Sequence, residues 1–475
     1  MDSRDKDLYR AVWRWHFYAG LLVLPFLVWL AITGGLYLFK AEIDGWWHRD
    51  LKVVVPATSA PRPASEWVAA ALAAQPGTLR KLTPAASANG SAELGIRRAD
   101  GERVTVYVDP YRAQVLGTLP EGGTLAWTIR KLHSLKYFGP VARGFIEMAA
   151  GWSLLLVLTG LYLWWPRGAR EGRGGVLTVR GQPRQRVFWR DLHAVTGLGV
   201  GAVLAFLAIT GMPWSVLWGQ QVNQWANGHN FGYPAGVRVQ LPMSQQRLPE
   251  TGSTAWSLTQ ARVPQSQVPS SSVADDHAGH AGHAGHQGHE APAAPRAATL
   301  PGMLSVDAVM ARVQRLGLAP GYSVSLPAGP TGVFTAAVYP RDVAQQRVVH
   351  LDAYSGAVLL DMGYADYGPL GRWLEWGINV HLGQEYGVPN QAVLVLACLA
   401  IVLLCVSAAV MWWKRRPARA LGVPPAPADP RVMRGLLALL AAGGLLFPLV
   451  GASLLVMAAL DRLLAPRLLP PTEPR

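Results

Sequence analysis

Apolar residues along this chain fall into five runs: 17–39, 144–165, 193–218, 389–413 and 435–459. Each is long enough to cross a hydrocarbon core of about 30 Å, which takes about 20 helical residues. Two of the intervening stretches, 166–192 and 414–434, are short and rich in arginine. Two others, 40–143 and 219–388, are long and alternate like strands in places. The pattern predicts a mainly α-helical membrane protein with two sizeable segments outside the bilayer. Glu147 is the one carboxylate in the second run; it is expected near the helix end, reaching the headgroups. The first run has a basic start (Arg4, Lys6, Arg10, Arg14) but exceeds a signal-peptide core, and no small-x-small cleavage pattern follows it. It reads as a retained signal anchor.

Orientation follows from arginine and lysine in the short loops. The connector 166–192 carries Arg167, Arg170, Arg173, Arg180, Arg184, Arg186 and Arg190, and 414–434 carries Lys414, Arg415, Arg416, Arg419, Arg431 and Arg434. Both are expected on the cytoplasmic side with residues 1–16, which puts 40–143, 219–388 and the tail 460–475 outside. The formal charge of +14 is then largely a cytoplasmic rim held against anionic lipid. No zinc-finger spacing, recognition helix or basic–aromatic groove points to nucleic acid. Tryptophan pairs at 46–47, 164–165 and 412–413 fit aromatic belts. Cys398 and Cys405 read as small apolar packing in the fourth run, so the exported segments contain no disulfide framework.

Each exported segment predicts a small α+β module. The first has a helix-like stretch at 64–75 and a hairpin through Val104–Val108, Asp109-Pro110-Tyr111 and Gln114–Gly117. The second has a helix-like stretch at 305–316, where Ser305 can cap, and a hairpin through Arg347–Leu351, Asp352–Gly356 and Ala357–Leu359. Within the second, residues 262–300 are rich in Ser, Pro, Ala and Gly and are expected to be disordered. His277, His280, His283, His286 and His289 recur there every third residue. Imidazoles at that density bind Cu²⁺, Zn²⁺, Ni²⁺ or ferric iron adaptably, or serve as an incidental feature of a linker.

The chain also repeats itself. Trp13-Arg14-Trp15-His16 precedes Ile32-Thr33-Gly34, and Trp189-Arg190-Asp191-Leu192-His193 precedes Ile209-Thr210-Gly211. His16 and His193 are 177 residues apart, as are Thr33 and Thr210. His133 stands 32 residues before Trp165, and His381 stands 32 before Trp413. This predicts duplicated two-helix units forming a four-helix bundle plus a fifth transmembrane helix, with a histidine at each membrane boundary. Related helices of such a bundle face one another, which would set His16 opposite His193 inside and His133 opposite His381 outside. Gly139-Pro140 and Tyr386–Pro389 separate the outer histidines from the spans, so His133 is expected on a short helix of its own. Two imidazoles on opposite faces of a macrocycle give six-coordinate haem b, suited to electron transfer. The expected cofactor complement is two haem b. Arg14, Arg190, Arg130 and Lys131 lie close enough in sequence to pair with haem propionates. His48, His229 and His350 lie outside the matched set.

These residues carry a family resemblance. Trp15-His16-Phe17-Tyr18-Ala19-Gly20, Ile32-Thr33-Gly34, Thr159-Gly160-Leu161-Tyr162-Leu163-Trp164-Trp165, His193 with Ile209-Thr210-Gly211, His381 before Trp412-Trp413 and the strand motif around Asp109 occur in order over about residues 8–416. The chain resembles the PepSY-associated transmembrane helix family, iron-regulated or iron-uptake membrane proteins that include di-haem reductases of ferric siderophores. The resemblance implies PepSY-like periplasmic modules, b-type haem on membrane histidines and delivery of electrons to periplasmic ferric complexes at the bacterial inner membrane. The histidine-rich insert and the fifth run depart from that pattern.

Gly172-x-Gly174-Gly175 neither follows a strand nor opens a crossover helix, so it is no dinucleotide fingerprint. Electrons are expected from a membrane quinol or a cytoplasmic reductase, and pass to a periplasmic ferric chelate. Two other readings remain at this level. One is a non-enzymatic metal uptake or sensing protein; the other is a regulator of a periplasmic peptidase.

Overall fold

The computed structural model describes residues 3–166, 175–228, 241–252, 254–269, 300–417, 422–425 and 428–468. The insert histidines 277–289 lie outside them, as do Arg167, Arg170 and Arg173. In chain order the helices are α1 (Ser3–Tyr37), α2 (Lys40–Trp47), α3 (Arg49–Lys52), α4 (Ala64–Ala74), α5 (Leu125–His133), α6 (Gly139–Trp164), α7 (Arg186–Gly211), α8 (Trp218–Gly228), α9 (Val306–Arg315), α10 (Pro369–His381), α11 (Val388–Arg415), α12 (Pro430–Leu446) and α13 (Pro448–Leu468). The chain divides into two units, a helical one (Met1–Phe39, Ile129–Asn223, Val380–Arg475) and a strand-bearing one (Lys40–Thr128, Gln224–Asn379).

Four of the five predicted runs are single helices long and apolar enough to cross a membrane. Proline marks two of their starts: Pro140 in α6 and Pro389 in α11 stand where the first backbone N–H groups have no helical partner. α1 packs on α6 and α11, and α7 packs on the same two helices. α1 and α7 therefore lie on one diagonal of a four-helix bundle. Val23, Leu27, Trp152, Val200, Leu204 and Ile401 are among the residues that fill its interior.

The predicted fifth span is not one helix. Pro448 offers no N–H and its ring cannot sit beneath the carbonyl four residues back, so Phe447 leaves the helical region at φ −124°, ψ 89°. Beyond it the chain folds back. A Cβ on Gly444 would lie 2.6 Å from the Gly451 Cα, an approach that only glycine at the crossing permits. Leu436 and Leu440 of α12 line a small apolar cavity with Trp15, His16, Trp152 and Thr159, whereas Phe447 lies beside Gly151. On α13, Leu449 sits beside Gly144, and Ser453 accepts from Trp152 Nε1 at 2.8 Å. Thus α12 runs antiparallel to α6 and α13 runs parallel to it. The segment is a helical hairpin that returns toward its starting end, in place of the single fifth helix expected. Leu445 and Leu455, 85% and 73% exposed, form part of its outer apolar face.

Glu147 also departs from expectation. It is buried, and its two carboxylate oxygens accept from Leu217 N at 2.8 Å and Trp218 N at 3.0 Å. It thereby satisfies two of the donors left open at the start of α8 and ties the turn after α7 to α6.

In the strand-bearing unit, segments 40–128 and 224–379 both contribute to one antiparallel sheet. Its strands are β1 (Thr78–Thr83), β2 (Ala92–Arg97), β3 (Arg103–Asp109), β4 (Gln114–Pro120), then, past a separate pair β5 (Met243–Arg247) and β6 (Arg262–Pro264), β7 (Ser323–Ser325), β8 (Val333–Val338), β9 (Arg347–Asp352) and β10 (Val358–Gly363). The order is β10-β9-β8-β7-β1-β2-β3-β4, so the halves join where Lys81 and Leu82 pair with Ser325 and Val324. The two hairpins turn alike. Asp109 Oδ1 accepts from Tyr111 N and Arg112 N, and Asp352 Oδ1 accepts from Tyr354 N and Ser355 N. α4 and α9 pack together over one face, burying Trp67, Val68, Val309 and Val313 against Leu94, Val106 and Leu351. Ser305 caps α9 as the sequence predicts. Residues 248–263 cover the other face of the second half through Leu248, Leu258 and Val263.

Beneath that cover lies a buried histidine. His350 Nδ1 is 2.9 Å from Thr335 Oγ1, its Nε2 is sealed from solvent with no partner among the described residues, and burial lowers its pKa to about 4. Burial pushes the Asp352 carboxyl up, but donors on Ser355, Gln267 and Tyr354 outweigh it and hold the group below the usual carboxylate range. Burial raises the Glu375 carboxyl, which opposes the other two in acid. A histidine with a depressed native pKa gives its full contribution above the unfolded value near 6.5 and loses it as pH falls toward 4. The strand-bearing unit should therefore lose up to about 3 kcal/mol over that window. Thermal melting of the full-length protein in detergent at pH 7 and pH 4.5, with hydrogen exchange read on β8 and β9, should show this loss. His350→Gln should remove most of the pH slope, and a slope that survives unchanged would assign it to other groups.

Candidate functional site

The four matched histidines all lie in the helical unit, each against a neighbouring helix. His16, on α1, has Nδ1 at 2.8 Å from Thr159 Oγ1 on α6. His193, on α7, has Nδ1 at 3.1 Å from the Leu404 carbonyl and 3.2 Å from Ser407 Oγ, both on α11. His133, the last residue of α5, has Nδ1 at 2.9 Å from Thr33 Oγ1 on α1. His381, the last residue of α10, has Nδ1 at 2.8 Å from Thr210 Oγ1 on α7. None of the four Nε2 atoms has a hydrogen bond among the described residues.

Two levels result. On α1, His16 and the Thr33 seat of His133 are 17 residues apart, as are His193 and the Thr210 seat of His381 on α7. At 1.5 Å per residue, each separation is about 25 Å along the helix, close to the thickness of a hydrocarbon core. His16 and His193 stand on the diagonal helices α1 and α7, and the rings of His133 and His381 rest on those same two helices through Thr33 and Thr210. Each level thus carries one histidine from each half of the repeat, set on or against one of the two diagonal helices.

Glycine makes room for the rings. A Cβ on Gly34 would lie 3.2 Å from His133 Cε1, one on Gly160 3.4 Å from His16 Cε1, and one on Gly211 3.6 Å from His381 Cε1. In each case the glycine follows the threonine that meets Nδ1, so the imidazole lies against bare helix backbone. The outer rings are held from behind as well. Trp29 Nε1 donates to the Leu132 carbonyl at 2.9 Å, and Asn390 Nδ2 donates to the Val380 carbonyl at 3.0 Å. After His381 the chain turns through Gly383 at φ +69°, where a side chain would also strike Leu38.

The four predicted cations are placed differently. Arg14 is buried, donates to the Pro424 carbonyl and stacks over Tyr18 at 5.5 Å. Arg190 donates to Asp191 Oδ1 at 2.7 Å, and Arg180 reaches Asp191 Oδ2 at 2.8 Å, so two guanidinium groups neutralise one fully buried carboxylate. Arg130 is exposed on α5, and Lys131 Nζ lies 5.4 Å from the Tyr137 ring centroid. His48 Nε2 instead accepts from Leu125 N at 3.1 Å, at the start of α5.

Sequence reasoning used Thr33, Thr210 and Thr159 as repeat and motif markers, not as partners of the histidines, and did not reach Ser407. A signal existed, since Thr159 and Ser407 are separated by 248 residues, the spacing of His133 and His381. Their role appears only when α6 and α11 are set beside α1 and α7.

The glycine distances predict a graded response. Gly34→Val should cost about 1–3 kcal/mol, because the His133 ring must yield in a packed interior. Gly211→Ala, at ordinary contact distance, should stay within about 1 kcal/mol of wild type. Thermal melting of both variants in one detergent measures the difference, and equal stabilities would mean that the Gly34 contact is slack.

No curated protein matches the chain. Residues 13–415 match the profile of the PepSY-associated TM region, the stretch that holds all four histidines and their hydroxyl partners. The protein belongs to the PepSY-associated transmembrane family.

Proposed function

We propose that this protein is a b-type haem protein of the bacterial inner membrane, built from two related two-helix units, that carries electrons outward to reduce ferric iron, chiefly in siderophore complexes. The observation that carries the proposal is that, at each of two levels about 25 Å apart, one histidine of each repeat is seated on or against one of the diagonal helices α1 and α7. The donor set fits haem: every Nδ1 is engaged by a neighbouring helix, and no Nε2 has a hydrogen bond among the described residues. His16 and His193 would hold an inner haem, and His133 and His381 an outer one. When bound, haem would supply one-electron transfer.

The chain's own residues do the rest. Helix packing sets α1 and α7, which carry His16 and His193, on one diagonal of the bundle, and the apolar interior around Val23, Leu27 and Trp152 excludes water between the levels. Arg130 and Lys131, on the same helix as His133, are the nearest cations in sequence for the outer propionates. Arg14 and Arg190 would have to share guanidinium groups already turned to Pro424 and Asp191. The chain leaves the helical unit after Phe39 and Asn223 and rejoins it at Ile129 and Val380, just before His133 and His381. In sequence, those two histidines thus closely follow the segments read as exported. One electron converts each ferric ion to ferrous, and oxygen-rich chelators hold ferrous iron far less tightly, so the chelator need not be hydrolysed. The donor is a membrane quinol or a cytoplasmic reductase.

Sealed proteoliposomes test this reading. With dithionite trapped inside and a ferric siderophore plus a ferrous indicator outside, the wild-type protein should generate ferrous iron outside. His16→Ala and His381→Ala should each lower the rate at least about 10-fold, a loss of about 1.4 kcal/mol or more in transition-state terms. Variants that reduce external iron at the wild-type rate would overturn the proposal.

A further inference from the structure

The hydroxyl groups beside the histidines do more than fill space. Thr33 Oγ1 lies 2.6 Å from the Trp29 carbonyl, Thr159 Oγ1 2.7 Å from Leu155, Thr210 Oγ1 2.7 Å from Phe206 and Ser407 Oγ 2.9 Å from Leu404. Two oxygens at such distances repel unless a proton lies between them, and a carbonyl has none to give. Each hydroxyl therefore spends its single proton on its own helix and can only accept from the histidine. The imidazole must then carry its proton on Nδ1. At His193 the conclusion comes a second way, because Nδ1 also meets the Leu404 carbonyl, a pure acceptor.

We propose that Thr159, Ser407, Thr33 and Thr210 are positioning residues that lock His16, His193, His133 and His381 as Nδ1–H tautomers, so that all four rings present a bare Nε2 as ligand. The inference rests on the haem reading and extends it to residues outside the ligand set. Without the lock, a neutral imidazole divides between tautomers, and the form protonated on Nε2 cannot ligate. The lock also raises ligand basicity, since an N–H donated to an acceptor pushes electron density onto the other nitrogen. Threonine suits the task within a helix: its hydroxyl bonds the preceding turn, and in three of the four sites the next residue is the glycine against which the ring rests.

Thr159→Val keeps the shape and branching of the side chain and removes the acceptor, whereas Thr159→Ser restores it. In the full-length protein, Thr159→Val should weaken haem retention about 10-fold or more and shift the midpoint potential of one haem upward, with both effects reversed in Thr159→Ser. Thr33→Val should do the same to the other haem. Retained haem with unshifted potentials in both valine variants would overturn the proposal. Nitrogen-15 shifts of histidine rings in haem-free full-length protein provide a readout independent of the cofactor. Protonated Nδ1 with unprotonated Nε2 at these four residues supports the lock, and protonated Nε2 refutes it. If the wild type bound no haem while the rings showed the Nδ1–H form, the electron-transfer reading would fall and the lock would stand.

Discussion

Everything in the helical unit depends on one contact made four times: an imidazole N–H on one helix, or at the end of a short helix, given to a hydroxyl on the next. A buried imidazole with no partner is costly, and a hydroxyl inside an apolar bundle is tolerated only because its proton is spent on its own backbone. The four contacts satisfy both demands and also fix the bundle's register, since α1 and α7 each carry one histidine and receive another. His16 ties α1 to α6, His193 ties α7 to α11, and Thr33 and Thr210 receive the rings that end α5 and α10. The glycines after three of the hydroxyl residues let the rings approach without a Cβ in the way.

Other features support that arrangement from outside. Glu147 pins the turn after α7 to α6 by bonding two backbone N–H groups, close in sequence to the Thr210-Gly211 seat. The α12–α13 hairpin covers α1 and α6 beside the inner level, with Leu436 and Leu440 walling the cavity next to His16 and Thr159. Neither feature lies among the matched histidines, and the hairpin falls beyond the stretch that defines the family.

Much of this was legible in the sequence because it is carried by spacing. The 177-residue offset and the 32-residue spacing to Trp165 and Trp413 identified the histidine sets, hydropathy found four helices, and Ser305, Asp109 and Asp352 announced a helix start and two turns. What escaped was whatever depends on a partner distant along the chain. Hydropathy gives Glu147 a depth but not the backbone groups it satisfies. The run 435–459 is apolar throughout, so composition alone could not separate a span from a hairpin; Pro448, with glycines at 444 and 451, was the available sign. The exported segments read as two modules because strand patterns do not reveal which edges meet, and only the β1–β7 pairing makes them one sheet. The insert histidines 277–289 remain a compositional feature outside the described residues.

The central claim is that imidazoles from the two halves of the chain share two metal-bearing rings, one at each level. Haem stoichiometry and the low-spin b-type spectrum of the purified protein, compared with His16→Ala, His193→Ala, His133→Ala and His381→Ala, address it directly. The account predicts two haems per chain in the wild type. It also predicts loss of the same haem from His16→Ala and His193→Ala, and of the other from His133→Ala and His381→Ala. A folded wild-type protein without haem, or four variants that all keep both, would contradict it.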